Sequence, residues 1–205
     1  VFKNVFIQTC SYPTGIPYPS INPKTGIFKY VPTTNLSDAS VGMLEYPLLS
    51  DLTADPSHRD RIKKIRDVLG SKSTQHDGLY MKSINLETGE WAKNKSGANV
   101  SLFKAQRSFF TGLLKSFVQT AGDDMEALKL YEKAMDSVER HGMFATSRTG
   151  LVYVRNYDTS TESHEDFTEY SGLYLGAMLS VGAKVMEKRL KAEIAKKKAA
   201  KPFEE

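Results

Sequence analysis

The sequence predicts a mainly α protein in which helix pairs alternate with short β-hairpins. Three observations predict it. The stretches Gly15 to Phe28 and Gly78 to Trp91, 63 positions apart, both obey Gly-[Ile/Leu]-x-x-x-Ser-Ile-Asn-x-x-Thr-Gly-x-[Phe/Trp]. A match of this length at one offset is the mark of a repeated structural unit. Between and after these copies the apolar residues change to helical spacing, as in Ile62, Ile65, Val68 and Leu69. The apolar fraction of 40% suits an ordinary packed core.

Each copy reads as a hairpin. Asparagine can satisfy its own backbone in a turn, glycine supplies a positive φ, and the aromatic after the turn gives the returning strand a packing partner. A helix is expected from about Val41 to Leu52. Asp55-Pro56-Ser57 then starts another, with capping side chains and a proline suited to the first turn, and Gly70 is its expected stop. After the second hairpin, Leu102 to Thr120 places Phe109, Phe110, Leu113, Leu114, Phe117 and Val118 at helical spacing. Asp123-Asp124 opens the next helix with acids at its positive end, and Leu128, Tyr131, Met135 and Val138 mark its buried face. A weaker echo of the hairpin starts at Gly150, with Asn156 near its turn and no Thr-Gly. Such units stack or close into a ring, because one helix pair cannot bury its apolar face alone.

The 205 residues amount to one domain or part of a larger one. The chain opens on Val1 without a signal peptide, as expected of a processed or truncated segment. An open arc of helix pairs would call for a partner segment or self-association. No apolar run approaches the roughly 18 residues of a membrane span. Cys10 is the single cysteine, expected as a small buried residue, so neither an intrachain disulfide nor a cysteine metal site is available. His58, His76, His141 and His164 lack ligand spacing and are expected at the surface or at helix caps.

The net charge of +4 sits entirely in residues 184–205, which hold eight basic and four acidic residues. This tail, expected to be a solvated helical or disordered extension from 186 to 205 after a domain of residues 1–185, could alternatively dock an acidic partner. Aromatics are not interleaved with its lysines, and no nucleic-acid-binding motif accompanies them. Asn35, Asn94 and Asn99 each open an Asn-x-Ser sequon, so they are candidate glycosylation sites of a secretory-pathway protein.

Taken in order, the motifs resemble glycoside hydrolase family 47, the class I α-1,2-mannosidases and related endoplasmic-reticulum factors. Pro13-Thr14-Gly15-Ile16-Pro17-Tyr18 with Ile21-Asn22 and Thr25-Gly26 is one such block, and Leu44-Glu45-Tyr46 with Leu49-Ser50-Asp51-Leu52-Thr53 is the next. Asp77-Gly78-Leu79-Tyr80, then Ser108-Phe109-Phe110 with Leu113-Leu114-Lys115, and Gly176 to Lys184 continue it. The resemblance implies an (α/α)7 toroid, of which this chain would supply about half. It further implies inverting hydrolysis of α-1,2-linked mannose on a high-mannose oligosaccharide or glycoprotein, with calcium in the sugar site, in the endoplasmic reticulum or Golgi lumen.

Counting within the family motifs, Asp38 falls at the position of the acid and Glu169 at that of a second carboxylate, while Glu45 is implied to contact substrate. Departures accompany the match. Arg107 and Thr111 stand where the family carries Asp and Glu, and the calcium-binding Thr-Glu-Ala-His segment has no counterpart in this sequence. The resemblance therefore implies an incomplete catalytic set, with hydrolysis by this chain alone not expected. The alternative is a non-catalytic glycan-binding, quality-control or structural module.

Overall fold

The computed structural model describes residues 12–22, 24–28, 30–74, 77–92, 99–100, 106–150 and 152–165. Contacts divide the chain into two compact units, Val1–Thr168 and Glu169–Glu205. All described residues belong to the first unit, and the basic tail, Cys10 and Glu169 lie outside them.

In chain order the elements are β1 (Thr33–Asn35), α1 (Leu36–Ala39), α2 (Glu45–Thr53), α3 (Ser57–Thr74), β2 (Ser83–Asn85), β3 (Asn99–Val100), α4 (Arg107–Gln119) and α5 (Met125–Arg140). Four short strands follow: β4 (Phe144–Thr146), β5 (Val152–Val154), β6 (Asn156–Asp158) and β7 (Ser163–Glu165). Helix α2 packs on α3, and α4 packs on α5. The strands form three small antiparallel sheets, β1-β2, β4-β5 and β3-β6-β7.

The two hairpin copies fold alike. In the first, Asn22 Oδ1 accepts from the Lys24 and Thr25 amides; in the second, Asn85 Oδ1 accepts from Glu87 and Thr88. The Gly26 and Gly89 amides each donate to the carbonyl of the turn asparagine, and single antiparallel bridges, Ile21 to Phe28 and Ile84 to Trp91, close the turns. The second copy is gripped from both sides. Thr14 Oγ1 donates to Leu86 O at 2.6 Å, the Leu86 amide donates to Pro32 O at 3.0 Å, and β2 pairs with β1. No sequence period announced β1, because a three-residue strand is defined by its partner.

The third copy corrects the sequence expectation. Gly150 is the turn glycine and not the start: Thr149-Gly150 lies between β4 and β5, with φ +83° at Gly150. The entry glycine is Gly142, at φ +61° after α5. Asn156 opens β6 and is not in this turn. The Thr-Gly is therefore retained, and the shorter connection in front of it shifts the alignment.

These turns yield a test. An alanine Cβ at Gly89 (φ +69°) would lie 3.1 Å from Val68 Cγ1 and 3.4 Å from Thr14 Cγ2, whereas one at Gly150 would meet nothing within 4 Å. Left-handed backbone costs a Cβ-bearing residue about 1–2 kcal/mol at either position. Gly89→Ala should therefore lower the thermal midpoint more than Gly150→Ala; equal shifts would show that the grip on the second hairpin adds nothing.

Helix boundaries differ from the expected ones for local reasons. Residues Val41 to Leu44 form turns, with Gly42 at φ +84°, so the expected helix begins only at Glu45, as α2, and the separate single turn α1 precedes it. Gly70 does not stop α3. It lies inside the helix where a Cβ would come within 3.0 Å of Leu130 Cδ2, so its small size admits α5. The helix runs on to Thr74, and Asp77-Gly78, with φ +53° and +89°, turn the chain beyond it. Arg140 and Ser137 on α5 both bond Asp77 there.

Helix α5 starts where its acids predict: Asp124 is the N-cap, accepting from the Ala127 amide at 3.1 Å. Leu128, Tyr131 and Val138 are buried as expected, while Met135 is half-buried. Helix α4 buries Phe109, Phe110, Leu113 and Leu114 against Tyr80 and its neighbours, and Val118 is exposed. His58 departs from expectation. It is only 4% exposed and lies parallel to Tyr46 across the α2–α3 turn, near Asp55 at 3.7 Å.

Candidate functional site

Asp38 sits on α1, a single helical turn, and its position is set by the residue that starts the turn. Asn35, in extended backbone, accepts from the Asp38 amide through Oδ1 at 2.8 Å. Its Nδ2 donates back to Asp38 Oδ2 at 2.6 Å. The pair is a reciprocal cap: two bonds between two side chains and one backbone amide, both residues half-buried. The cap was not expected from the sequence, although its signal is there: Asn35-Leu36-Ser37-Asp38 has the spacing of a capping box. It also means that the Asn35 sequon amide already holds a partner.

The turn is docked onto the start of α4. Ser37 Oγ accepts from the Ser108 amide at 3.3 Å, and Ser40 Oγ donates to Ser37 O at 3.0 Å. Arg107 and Thr111, which stand at the family's acidic positions, are thus on the helix that meets the Asp38 turn. Glu45 is the first residue of α2 and is exposed. A carboxylate there is favoured by the positive end of the helix. The far end of α4 meets the start of α2 instead, Gln119 Nε2 donating to Leu44 O at 3.3 Å. Asn99 lies in β3 opposite Asp158, and Asn94 and Glu169 fall outside the described residues.

The family's calcium can be tested against these groups. Calcium takes six to eight oxygen ligands. Among the described residues no three of His, Cys, Asp or Glu cluster closely enough to hold a metal ion, and Asp38 Oδ2 is shared with Asn35. The described residues do not fit the ion by themselves. Nor is any helix among them long and apolar enough to cross a membrane.

A family model, glycosyl hydrolase family 47, matches residues 3–203. The chain belongs to this family. It is 32% identical over 176 residues to "Mannosyl-oligosaccharide alpha-1,2-mannosidase IA" of Drosophila melanogaster, an overlap of 83% of this chain and 25% of that protein. The human "Mannosyl-oligosaccharide 1,2-alpha-mannosidase IB" is 28% identical over 176 residues, 83% of this chain and 26% of its own length. Among solved structures, an alpha-1,2-mannosidase from Trichoderma reesei superposes with a TM-score of 0.65 at 18% identity, covering 79% of this chain and 33% of that one. The family 47 chain thus shares the fold of that mannosidase over a third of its length. It spans between a quarter and a third of these relatives, less than the half that the motifs led us to expect.

Proposed function

We propose that this family 47 chain contributes part of an α-1,2-mannosidase-type glycan site, with Asp38 as the general acid, Glu169 as the second carboxylate and Glu45 contacting sugar. The observation that carries the reading is the Asn35–Asp38 cap, which holds one carboxylate in place where α1 meets α4. Inverting hydrolysis needs one carboxyl group to protonate the leaving oxygen and another to activate water on the opposite face. Asp38 is one methylene shorter than the glutamate of the family motif, and a reach error of that size can cost about 10²-fold in rate. The substrate class would be high-mannose N-glycans in the secretory pathway. Calcium, when bound in the family, supplies Lewis-acid and orienting chemistry in the sugar site. The three sequons are proposed glycan acceptors, to be checked by the mass lost on enzymatic deglycosylation of secreted chain.

A second reading, binding without turnover, is favoured by Arg107 and Thr111. They remove two acidic groups from the helix that carries Ser108 onto the Asp38 turn. One experiment addresses both. The chain is titrated with a high-mannose oligosaccharide, with and without calcium, and free mannose is assayed in the same samples. Binding that weakens tenfold or more in Asp38→Asn and Glu45→Gln supports the site. Mannose release lost in Asp38→Asn and Glu169→Gln assigns turnover, and binding without release assigns the second reading. Affinity indifferent to both Asp38 and Glu45 sinks the proposed site.

A further inference from the structure

A cleft of about 450 Å³ opens between α2, α3 and the corner joining α4 to α5. That volume lies within the range of small-molecule sites. Its basic wall is α3, where Arg59, Lys63 and Arg66 recur at helical spacing and share one face. Facing them are four carboxylates, Asp51 from α2 and Asp123, Asp124 and Glu126 from the corner. Pro47 and Ile62 supply apolar lining.

Two pairs of these charges are already engaged. Arg66 is bound to Asp124 at 2.7 Å and is 5% exposed, so it forms a fixed back wall. Arg59 and Asp51 meet at 2.6 Å but are 53% and 62% exposed, a pair that contributes little and can reopen. Lys63, Asp123 and Glu126 make no ion pair or side-chain hydrogen bond among the described residues. Burial, then the Asp67 carboxylate, holds Glu126 above the ordinary carboxylate value, so a hydroxyl donor would relieve it.

The charge balance selects the ligand. With Arg66–Asp124 and Arg59–Asp51 paired, the open groups are Lys63, Asp123 and Glu126: their acidic excess repels an anion, and among the described residues no three carboxylates cluster closely enough to hold a metal ion. A neutral molecule whose groups both donate and accept can serve both walls, and hydroxyl groups do so. We propose that this cleft is a second binding site, for a neutral polyhydroxylated ligand such as a hexose or short oligosaccharide. It is separate from the Asp38 turn. Ser108 meets that turn at one end of α4, while Thr120 lines the cleft at the other, about 18 Å away at the rise of an α-helix. The inference stands whether or not Asp38 is a catalytic acid.

The test is an NMR titration of the isotopically labelled full chain with mannose, with sodium phosphate and calcium chloride as separate arms. Saturable shifts centred on Lys63, Asp123 and Glu126 are expected with mannose, in the millimolar range for so small and polar a contact. The double variant Lys63→Ala/Glu126→Ala should weaken that binding tenfold or more, and Asp38→Asn should leave it unchanged. Both Lys63 and Glu126 are exposed, so their loss spares the fold. The proposal is overturned by shifts confined to Asp38 and Glu45, by none at all, by insensitivity to the double variant, or by saturation with phosphate or calcium and not with mannose.

Discussion

Arg66→Ala should destabilise the chain by about 3–5 kcal/mol, the cost of removing one partner from a buried ion pair. Arg66 Nη1 donates to Asp124 Oδ2 at 2.7 Å and Nη2 donates to Ser116 Oγ at 2.8 Å. Ser116 Oγ in turn donates to Asp124 Oδ2 at 2.6 Å. Three helices, α3, α4 and the start of α5, therefore meet on one carboxylate. Asp124 also accepts the Ala127 amide as the cap of α5, and its own amide donates to Thr120 Oγ1 at 3.0 Å. Truncating Arg66 strands this carboxylate at 16% side-chain exposure. Thermal unfolding measures the loss, and Arg66→Met combined with Asp124→Asn should recover part of it, because both charges are then gone and the amide can still cap. A loss under about 1 kcal/mol in Arg66→Ala would show that the pair is solvated.

The same group sets an acid dependence. Burial works to raise Asp124, but the Ser116 hydroxyl, the Arg66 guanidinium and the Ala127 amide outweigh it and hold the carboxyl below its ordinary value of 3.8. A depressed folded value means stability that is fully present above the unfolded value and is lost as pH falls through the folded one. Wild type should therefore lose Asp124's contribution below about pH 4, and Arg66→Ala should lose less over that window.

Phe109→Ala should cost about 3–5 kcal/mol, the typical penalty for emptying a buried aromatic site. Phe109 is 0% exposed. Its ring centroid lies 4.7 Å from Tyr80 and 5.3 Å from Phe110, both inclined, and Tyr80 meets Phe110 edge-on at 5.8 Å. These inclined pairs add to the area buried. The cluster joins α4 to the segment leading into the second hairpin, and Gln106 reinforces the joint by donating from Nε2 to Tyr80 O at 2.6 Å. At about 2–4 °C per kcal/mol, the thermal midpoint should fall by roughly 10 °C. Phe109→Leu, which keeps much of the apolar volume, should cost less. Similar losses in both variants would point to the ring pairs and away from the cavity.

Much of this architecture was legible because local chemistry decides it. The turn asparagines and glycines work within four residues of themselves, so Asn22 and Asn85 build the same turn in different surroundings. Asp124 caps α5 by reaching three residues along the chain. The apolar stripes of α4 and α5 are equally local signals. Misplaced boundaries came from residues whose role depends on a neighbour. Gly70 reads as a stop in isolation but is a helical glycine that makes room for Leu130. His58 reads as a surface or cap residue; it does stand in the first turn of α3, but it is buried against Tyr46.

The candidate site divides along the same line. Asp38 and Glu45 were located by position within motifs, whereas the Asn35 cap, local as its three-residue spacing is, emerged only with the structure. The convergence of Arg66 with Ser116 and Asp124, and the opposition of Lys63 to Glu126 and Asp123 across a cleft, join α3 to residues 50 to 63 positions away. By itself, then, the sequence determined the repeated hairpins, the helical stripes and the family, all of which rest on short-range hydrogen bonding and periodic burial. Only the tertiary structure decided which charges meet, because ion pairs and clefts arise where separate helices pack, and no spacing within one helix encodes the face that another helix brings to it.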